Sequence, residues 1–184
     1  MSITIAPTWA PDGGSLAFFA NGVWKQVRRQ GGPASTIVAN VTNNMGATWG
    51  PDDVLLTAAA NRTALSRVAA SGGSLQPVTT LDASKENSHR WPQLLPDGRH
   101  FLFTVRSDSA ETLGIRIGSL DAPDVRPLVN VASPGRFVEP GWLLFVTPDQ
   151  VLMAQHLDPP AWTLQGTRQQ VAGPIRYNGP SFAA

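Results

Sequence analysis

The sequence predicts an all-β protein built from repeated four-stranded units, on three observations. A Pro-Asp-Gly type of turn returns at nearly constant spacing along the 184 residues. An apolar run follows each turn, and two further strand-like segments follow each run. Charged residues make up 15% of the chain against a usual ~25%, while 17 Gly and 16 Pro supply turns. Few charges and many turns suit short strands rather than long helices, and no window holds a helical period.

The turns come first, because they set the period. They are Trp9-Ala10-Pro11-Asp12-Gly13, Trp49-Gly50-Pro51-Asp52-Asp53, Leu94-Leu95-Pro96-Asp97-Gly98 and the weaker Val138-Glu139-Pro140-Gly141. Pro11, Pro51, Pro96 and Pro140 lie 40, 45 and 44 residues apart. Pro presets φ, Asp bonds its own backbone and Gly accepts positive φ, so each triplet turns the chain between two strands. The second strand of each unit is Leu16-Ala17-Phe18-Phe19, Val54-Leu55-Leu56, Phe101-Leu102-Phe103 or Leu143-Leu144-Phe145. These runs are apolar almost throughout, as strands covered on both faces should be. Asn21-Gly22 is a primed hairpin turn into the third strand of the first unit. Third strands are expected at 23–27, 65–68, 115–120 and 151–157, and fourth strands at 36–38, 76–79, 125–129 and 169–171. Gly31-Gly32 and Gly72-Gly73 connect the third and fourth strands in the first two units.

Four short strands in about 40–45 residues is the content of a β-propeller blade. The units span about 6–40, 46–80, 91–130 and 135–172, and 180–184 reads as the first strand of another. The expected fold is therefore a partial or open propeller of about four blades plus the opening strand of a fifth. A closed four-bladed ring is the other propeller arrangement. A β-sandwich also spaces its turns regularly but does not require the same triplet in every unit.

Composition narrows the function. With 14 basic and 13 acidic residues, no net field draws in nucleic acid or an anionic membrane. The chain has no Cys, which excludes disulfides, thiolate metal sites and cysteine nucleophiles. No apolar run approaches the ~18 residues of a membrane helix, so direct membrane insertion is not expected. The first residues lack the charged and apolar regions of a secretory signal.

Candidate binding residues lie where the last strand of one unit leads into the first strand of the next. These connections should gather at one mouth of the central channel. They carry Asn43 and Asn44, then Glu86, His89 and Arg90, then Arg136, then Arg176 and Tyr177. Loops on a rigid scaffold concentrate binding residues, and the arginines favour an acidic partner group. The plain alternative is solvated loop. The chain is expected to have no catalytic role. His89, His100 and His156 lack the spacing of a helical zinc site, and no Gly-x-Ser-x-Gly elbow is present. Asp12, Asp52 and Asp97 are explained by their turns, and neither a metal nor a cofactor is implied. Trp9, Trp49, Trp91 and Trp142 recur once per unit and are expected to pack between blades. Trp162, after Asp158-Pro159-Pro160-Ala161, reads as a hairpin tip that would expose its ring.

The units resemble the TolB-like β-propeller repeat, a relative of WD repeats, over nearly the whole chain. Their order is similar to the C-terminal propeller region of bacterial transmembrane serine/threonine protein kinases. The stretches that carry this are Gly46-Ala47-Thr48-Trp49-Gly50-Pro51-Asp52, the run from Ser88 through Leu102, and Gly141-Trp142-Leu143-Leu144-Phe145-Val146. The resemblance implies an extracytoplasmic binding or sensing module for a protein, a peptide or a small envelope ligand. A kinase domain itself is absent, since His89-Arg90-Trp91 has Trp where the catalytic Asp would stand. Two alternatives are the gating propeller of a prolyl-oligopeptidase-like hydrolase and a truncated product with no independent function.

Overall fold

A computed structural model describes residues 3–175, with side chains from residue 7 onward. Arg176, Tyr177 and the expected strand at 180–184 lie outside the described residues. Among the described residues sixteen strands form four antiparallel four-stranded sheets, each in simple meander order. Blade 1 holds β1 (Ile3–Trp9), β2 (Ser15–Ala20), β3 (Val23–Arg28) and β4 (Ser35–Val38). Blade 2 holds β5 (Ala47–Trp49), β6 (Val54–Thr57), β7 (Ser66–Ala69) and β8 (Gln76–Pro77). Blade 3 holds β9 (Ser88–Leu94), β10 (His100–Arg106), β11 (Gly114–Ser119) and β12 (Val125–Val129). Blade 4 holds β13 (Arg136–Val138), β14 (Trp142–Val146), β15 (Leu152–Asp158) and β16 (Thr163–Ala172). The sole helical element among the described residues is a 3₁₀ turn at Pro51–Asp53. This is the β-propeller architecture that the repeats predict.

The turn chemistry works as the residue types dictate. Asn21 and Gly22 both take positive φ, 51° and 77°, between the paired residues Ala20 and Val23, as a primed hairpin turn requires. Asp12 Oδ1 accepts the Gly14 N–H at 2.7 Å, and Asp97 Oδ1 accepts the N–H groups of Arg99 and His100 at 2.9 Å each. In the second turn Asp52 and Asp53 adopt the left-handed φ that glycine holds in the first and third.

The first strand of each blade is the inner one. β1 lies beside β5, and β5 beside β9. A repeated hydrogen bond ties each inner strand to the next. Thr8 Oγ1 accepts Trp49 N–H at 3.3 Å, and Thr48 Oγ1 accepts Leu94 N–H at 3.3 Å. Gln93 does both jobs, accepting Phe137 N–H at 2.8 Å and donating to Phe137 O at 3.0 Å. These bonds fix the repeat phase. Trp9, Trp49, Leu94 and Phe137 are equivalent, and they pair in register with Leu16, Leu55, Phe101 and Leu143.

Successive residues of a strand point to opposite faces, so the second strand of each blade serves two interfaces. Leu55 packs toward blade 1 with Ala17, Phe19, Trp24 and Trp49, while Leu56 packs toward blade 3 with Phe101 and Phe103. Leu102, Ile115 and Ile117 of blade 3 meet Phe137, Leu143 and Phe145 of blade 4. Three apolar clusters thus serve the interfaces 1–2, 2–3 and 3–4, and none among the described residues joins blade 4 to blade 1. The arrangement is an open arc.

The tryptophans do not behave as four equivalents. Trp49 is buried between blades, but Trp9 is 53% exposed on the outer face of blade 1. Trp91 and Trp142 fall at other phases of the repeat. Trp91 sits at a break in the register of β9 with a φ of 53°, and its backbone N–H donates to Met45 O at 2.7 Å. There Gly46 (φ 107°) is required, since a Cβ on it would stand 2.9 Å from Trp91 Cα. Trp142 is half-buried against His156 on the outer face of blade 4. Trp162 is 2% exposed, not a free tip. Its indole N–H donates to Asp97 Oδ2 at 2.8 Å, and its ring meets Phe137 edge-on at 5.5 Å.

Candidate functional site

All four inner strands run the same way, so the connections 39–46, 78–87 and 130–135 enter at one end of the arc. The expected site residues among those described lie at this entry end, but most of them are occupied with the fold. Asn43 Oδ1 accepts Asn44 N–H at 2.8 Å, and Asn44 Oδ1 accepts Gly46 N–H at 2.9 Å. Asn44 is buried. Both side chains shape the turn into β5.

His89 and Glu86 are likewise turned inward. His89 Nδ1 lies 2.7 Å from Thr79 Oγ1, and Nε2 lies 3.0 Å from Glu86 Oε2. The Glu86 carboxylate can only accept, so the imidazole carries its proton on Nε2, and the neutral ring's Nδ1 accepts the Thr79 hydroxyl proton while Thr79 Oγ1 accepts Leu65 N–H at 2.9 Å. Burial lowers the His89 pKa; the Glu86 hydrogen bond and charge oppose this, and the Arg116 charge adds to it. Arg116 Nη2 stands 3.8 Å from Glu86 Oε1. The order hydroxyl, imidazole, carboxylate is that of a nucleophile relay. Here, however, the hydroxyl is buried and held by Leu65. The His89 backbone N–H donates to Thr63 O at 3.0 Å, and its ring packs on Phe103 at 4.9 Å. The cluster clasps blade 2 to blade 3.

Arg90 has a different setting. Thr104 pairs with Arg90 and Arg106 with Ser88, which puts four side chains on one face of blade 3. That face is turned to blade 4, because Thr104 Oγ1 donates to Ser133 O at 3.3 Å and Arg106 Nη1 to Ala132 O at 3.4 Å. Arg90 spends its Nε on Ser88 Oγ at 2.7 Å. Burial lowers the Arg90 pKa, and the neighbouring Arg106 charge lowers it further. Among the described residues neither guanidinium pairs with a carboxylate. Arg106 was not among the residues expected from the sequence. The alternation Leu102, Thr104, Arg106 on one strand face is the signal that points to it.

Arg136 stands apart from this pair. It pairs in register with Leu144 on the outer face of blade 4 and has neither a hydrogen bond nor an ion pair among the described residues. Burial of part of its side chain lowers its pKa, although the residue as a whole is exposed. At the opposite end of the channel, Thr48, Trp49, Gln93, Leu94, Phe137 and Glu139 help line an open groove of about 340 Å³. Among the described residues no three His, Asp or Glu stand together as a metal set.

No family model and no curated relative matches the chain. Solved structures do. A gluconolactonase from Xanthomonas campestris is similar with a TM-score of 0.73 at 15% identity, over 94% of this chain and 63% of that one. A calcium-binding protein, regucalcin, from Agrobacterium tumefaciens gives 0.67 at 17% identity, over 92% of this chain and 59% of that one. An oligogalacturonate lyase in complex with manganese gives 0.69 at 12% identity, over 91% of this chain and 52% of that one. The chain thus spans under two thirds of the length of these neighbours. At such identities the likeness establishes the β-propeller fold, and no activity passes with it. The neighbours do overturn the expectation that this chain is not an enzyme. Propellers of this shape include a gluconolactonase and a lyase, so missing kinase and hydrolase motifs exclude two mechanisms and leave catalysis open.

Proposed function

We propose that the chain is a ligand-binding propeller segment that takes an anionic group at the entry end, between blades 3 and 4. One observation carries this reading. Arg90 and Arg106 stand half-buried on one sheet face, near enough for like charge to matter, with no carboxylate among the described residues to balance them. Two desolvated like charges cost stability unless an anion joins them, and guanidinium forks are matched to carboxylate and phosphate oxygens. Arg90 and Arg106 supply the charge, while Ser88 and Ala132 hold their orientation. The setting implied by the sequence resemblance, an extracytoplasmic module reading a protein, peptide or envelope ligand for a serine/threonine kinase, is compatible with such a site.

The test uses inorganic phosphate as the probe. The chain should melt higher in phosphate than in chloride at equal ionic strength, as binding to the native state requires. The double variant Arg90→Gln, Arg106→Gln should lose that increment while melting at least as high in chloride. A double variant that keeps the full phosphate increment would defeat the reading.

A further inference from the structure

We propose that His100 is the general base of a second site, in a cleft on blade 3 beside the Trp162 hairpin, and that this site hydrolyses small carboxylic esters. The site lies at the turn end of the arc, away from Arg90 and Arg106. Its imidazole is held from one side only. Asp97 Oδ2 accepts from His100 Nδ1 at 2.6 Å and from the Trp162 indole at 2.8 Å, while Oδ1 takes two backbone N–H groups. A carboxylate surrounded by donors in this way fixes the imidazole proton on Nδ1 and leaves Nε2 a bare lone pair. Nε2 has no partner among the described residues, and the side chain is 34% exposed. The fold does not require an imidazole here, since Ser15, Val54 and Trp142 hold the equivalent position in the other blades. His89 has the reverse setting, with both nitrogens bonded and the ring buried.

The cleft, of about 370 Å³, has His100, Ile117, Ser119, Asp124 and Arg126 in its lining. That size suits a small molecule. Ser119 is the cross-strand partner of His100, which places their Cβ atoms about 5 Å apart. Its Oγ accepts Asp121 N–H at 3.1 Å, so its own proton is free to donate. Arg126 is anchored through Nη2 on Ala161 O at 3.1 Å and Trp162 O at 3.4 Å, and its other nitrogens keep their protons for a ligand. The cleft thus holds one base and two donors, the set that attack of water on a carbonyl needs. Asp124 decides between substrate classes, since its carboxylate repels a phosphate ester and tolerates an uncharged carboxylic one. In the step, Nε2 takes a proton from water as the water oxygen bonds to the acyl carbon. The carbonyl electron pair moves onto its oxygen, where Arg126 and Ser119 donate. When that pair returns, the ester C–O bond breaks and the imidazolium passes its proton to the leaving oxygen. Acid and alcohol are released, and His100 is neutral again.

The probe is p-nitrophenyl acetate, read by release of p-nitrophenolate. The wild-type chain should turn it over about tenfold or more faster than the same concentration of free imidazole, as positioned general-base catalysis requires. His100→Gln should lose that excess, and His156→Gln should keep it. Asp97 is a positioning residue and has a second readout. In Asp97→Asn the amide oxygen stays with the two backbone N–H groups, so the amide NH₂ faces Nδ1 and the imidazole proton moves to Nε2. Nitrogen NMR of the labelled His100 ring should show that move, and kcat should fall about tenfold or more. Unchanged circular dichroism establishes that each variant is folded. A wild-type rate no greater than that of imidazole overturns the proposal, as does a His100→Gln variant at the wild-type rate. A rate lost in Asp97→Asn with the proton still on Nδ1 also overturns it, since Asp97 would then act through the fold alone.

Discussion

Asp97 does more than turn the chain. Its Oδ1 closes the turn on Arg99 and His100, while Oδ2 takes the Trp162 indole N–H at 2.8 Å and the His100 ring at 2.6 Å. A turn residue of blade 3 thereby holds the outer hairpin of blade 4. Burial would raise the Asp97 carboxyl, but the N–H groups of His100 and Arg99, the His100 ring and the Trp162 indole together hold it below the ordinary value. A carboxylate depressed on folding contributes stability above its unfolded pKa of about 3.9 and loses it as pH falls through the folded value. Asp97→Asn should cost about 1–3 kcal/mol at neutral pH, the loss expected for charge-assisted hydrogen bonds. Chemical denaturation should show the cost shrinking as the pH is lowered below about 4. A cost that does not change with pH would mean that the charge of Asp97 is not what holds Trp162.

His89 has the opposite chemistry at the other end of the channel. It is buried and neutral, with Thr79 and Glu86 on its nitrogens, Arg116 beyond Glu86 and Phe103 against its ring. Its folded pKa lies below the ordinary 6.5. The unfolded chain therefore binds the extra proton first. Stability from this site is fully present above about 6.5 and declines as pH falls from there toward the folded value. Melting temperature followed from pH 7 downward should fall more steeply in the wild type than in His89→Gln. Equal slopes would show that the ring is solvated rather than clasped between blades.

At the scale of elements, the inner strands show what a sequence reader can and cannot recover. The Pro-Asp-Gly turns and the Asn21-Gly22 hairpin are local, because two or three residue types dictate the backbone there. The apolar second strands are legible too, since a strand covered on both faces needs a continuous apolar run. The phase of blade 4 is not legible. Pro140 lies three residues after Phe137, whereas Pro11, Pro51 and Pro96 lie two after Trp9, Trp49 and Leu94, so a match on proline position puts Arg136 one step out. The break in register at Trp91 hides in the same way, because a bulge leaves no required residue type. The site suffers most. Arg90 is legible as a charged residue near a connection, but its pairing with Arg106 depends on a cross-strand register that only the folded sheet reveals. The Gln93 bridge is the element that this reading tests. Gln93→Ala removes both of its bonds to Phe137 and should cost about 1–3 kcal/mol, two neutral hydrogen bonds with one buried partner left unmet. Hydrogen exchange should speed up first in β13 and β14. Uniform acceleration across all four blades would mean that the bridge is not what couples blade 4 to blade 3.

At the scale of the whole molecule, the arc behaves as a short stack of repeats rather than as a closed body. Each blade contacts its neighbours in sequence, so stability is a sum of blade terms and three interface terms. Among the described residues the end blades have one interface each, and blade 2 and blade 3 have two. The same side chain at the same repeat position therefore has different worth along the chain. Trp49→Ala removes a ring 7% exposed between blades 1 and 2 and should cost about 3–5 kcal/mol, as large core truncations do. Trp9→Ala removes the equivalent ring where it is 53% exposed and should cost under about 1 kcal/mol in dilute monomer. Urea unfolding of both variants at the lowest workable concentration compares them directly. If the arc closed on itself, Trp9 would be covered by blade 4 and the two costs would converge. A large penalty at Trp9 would thus replace the open arc with a ring.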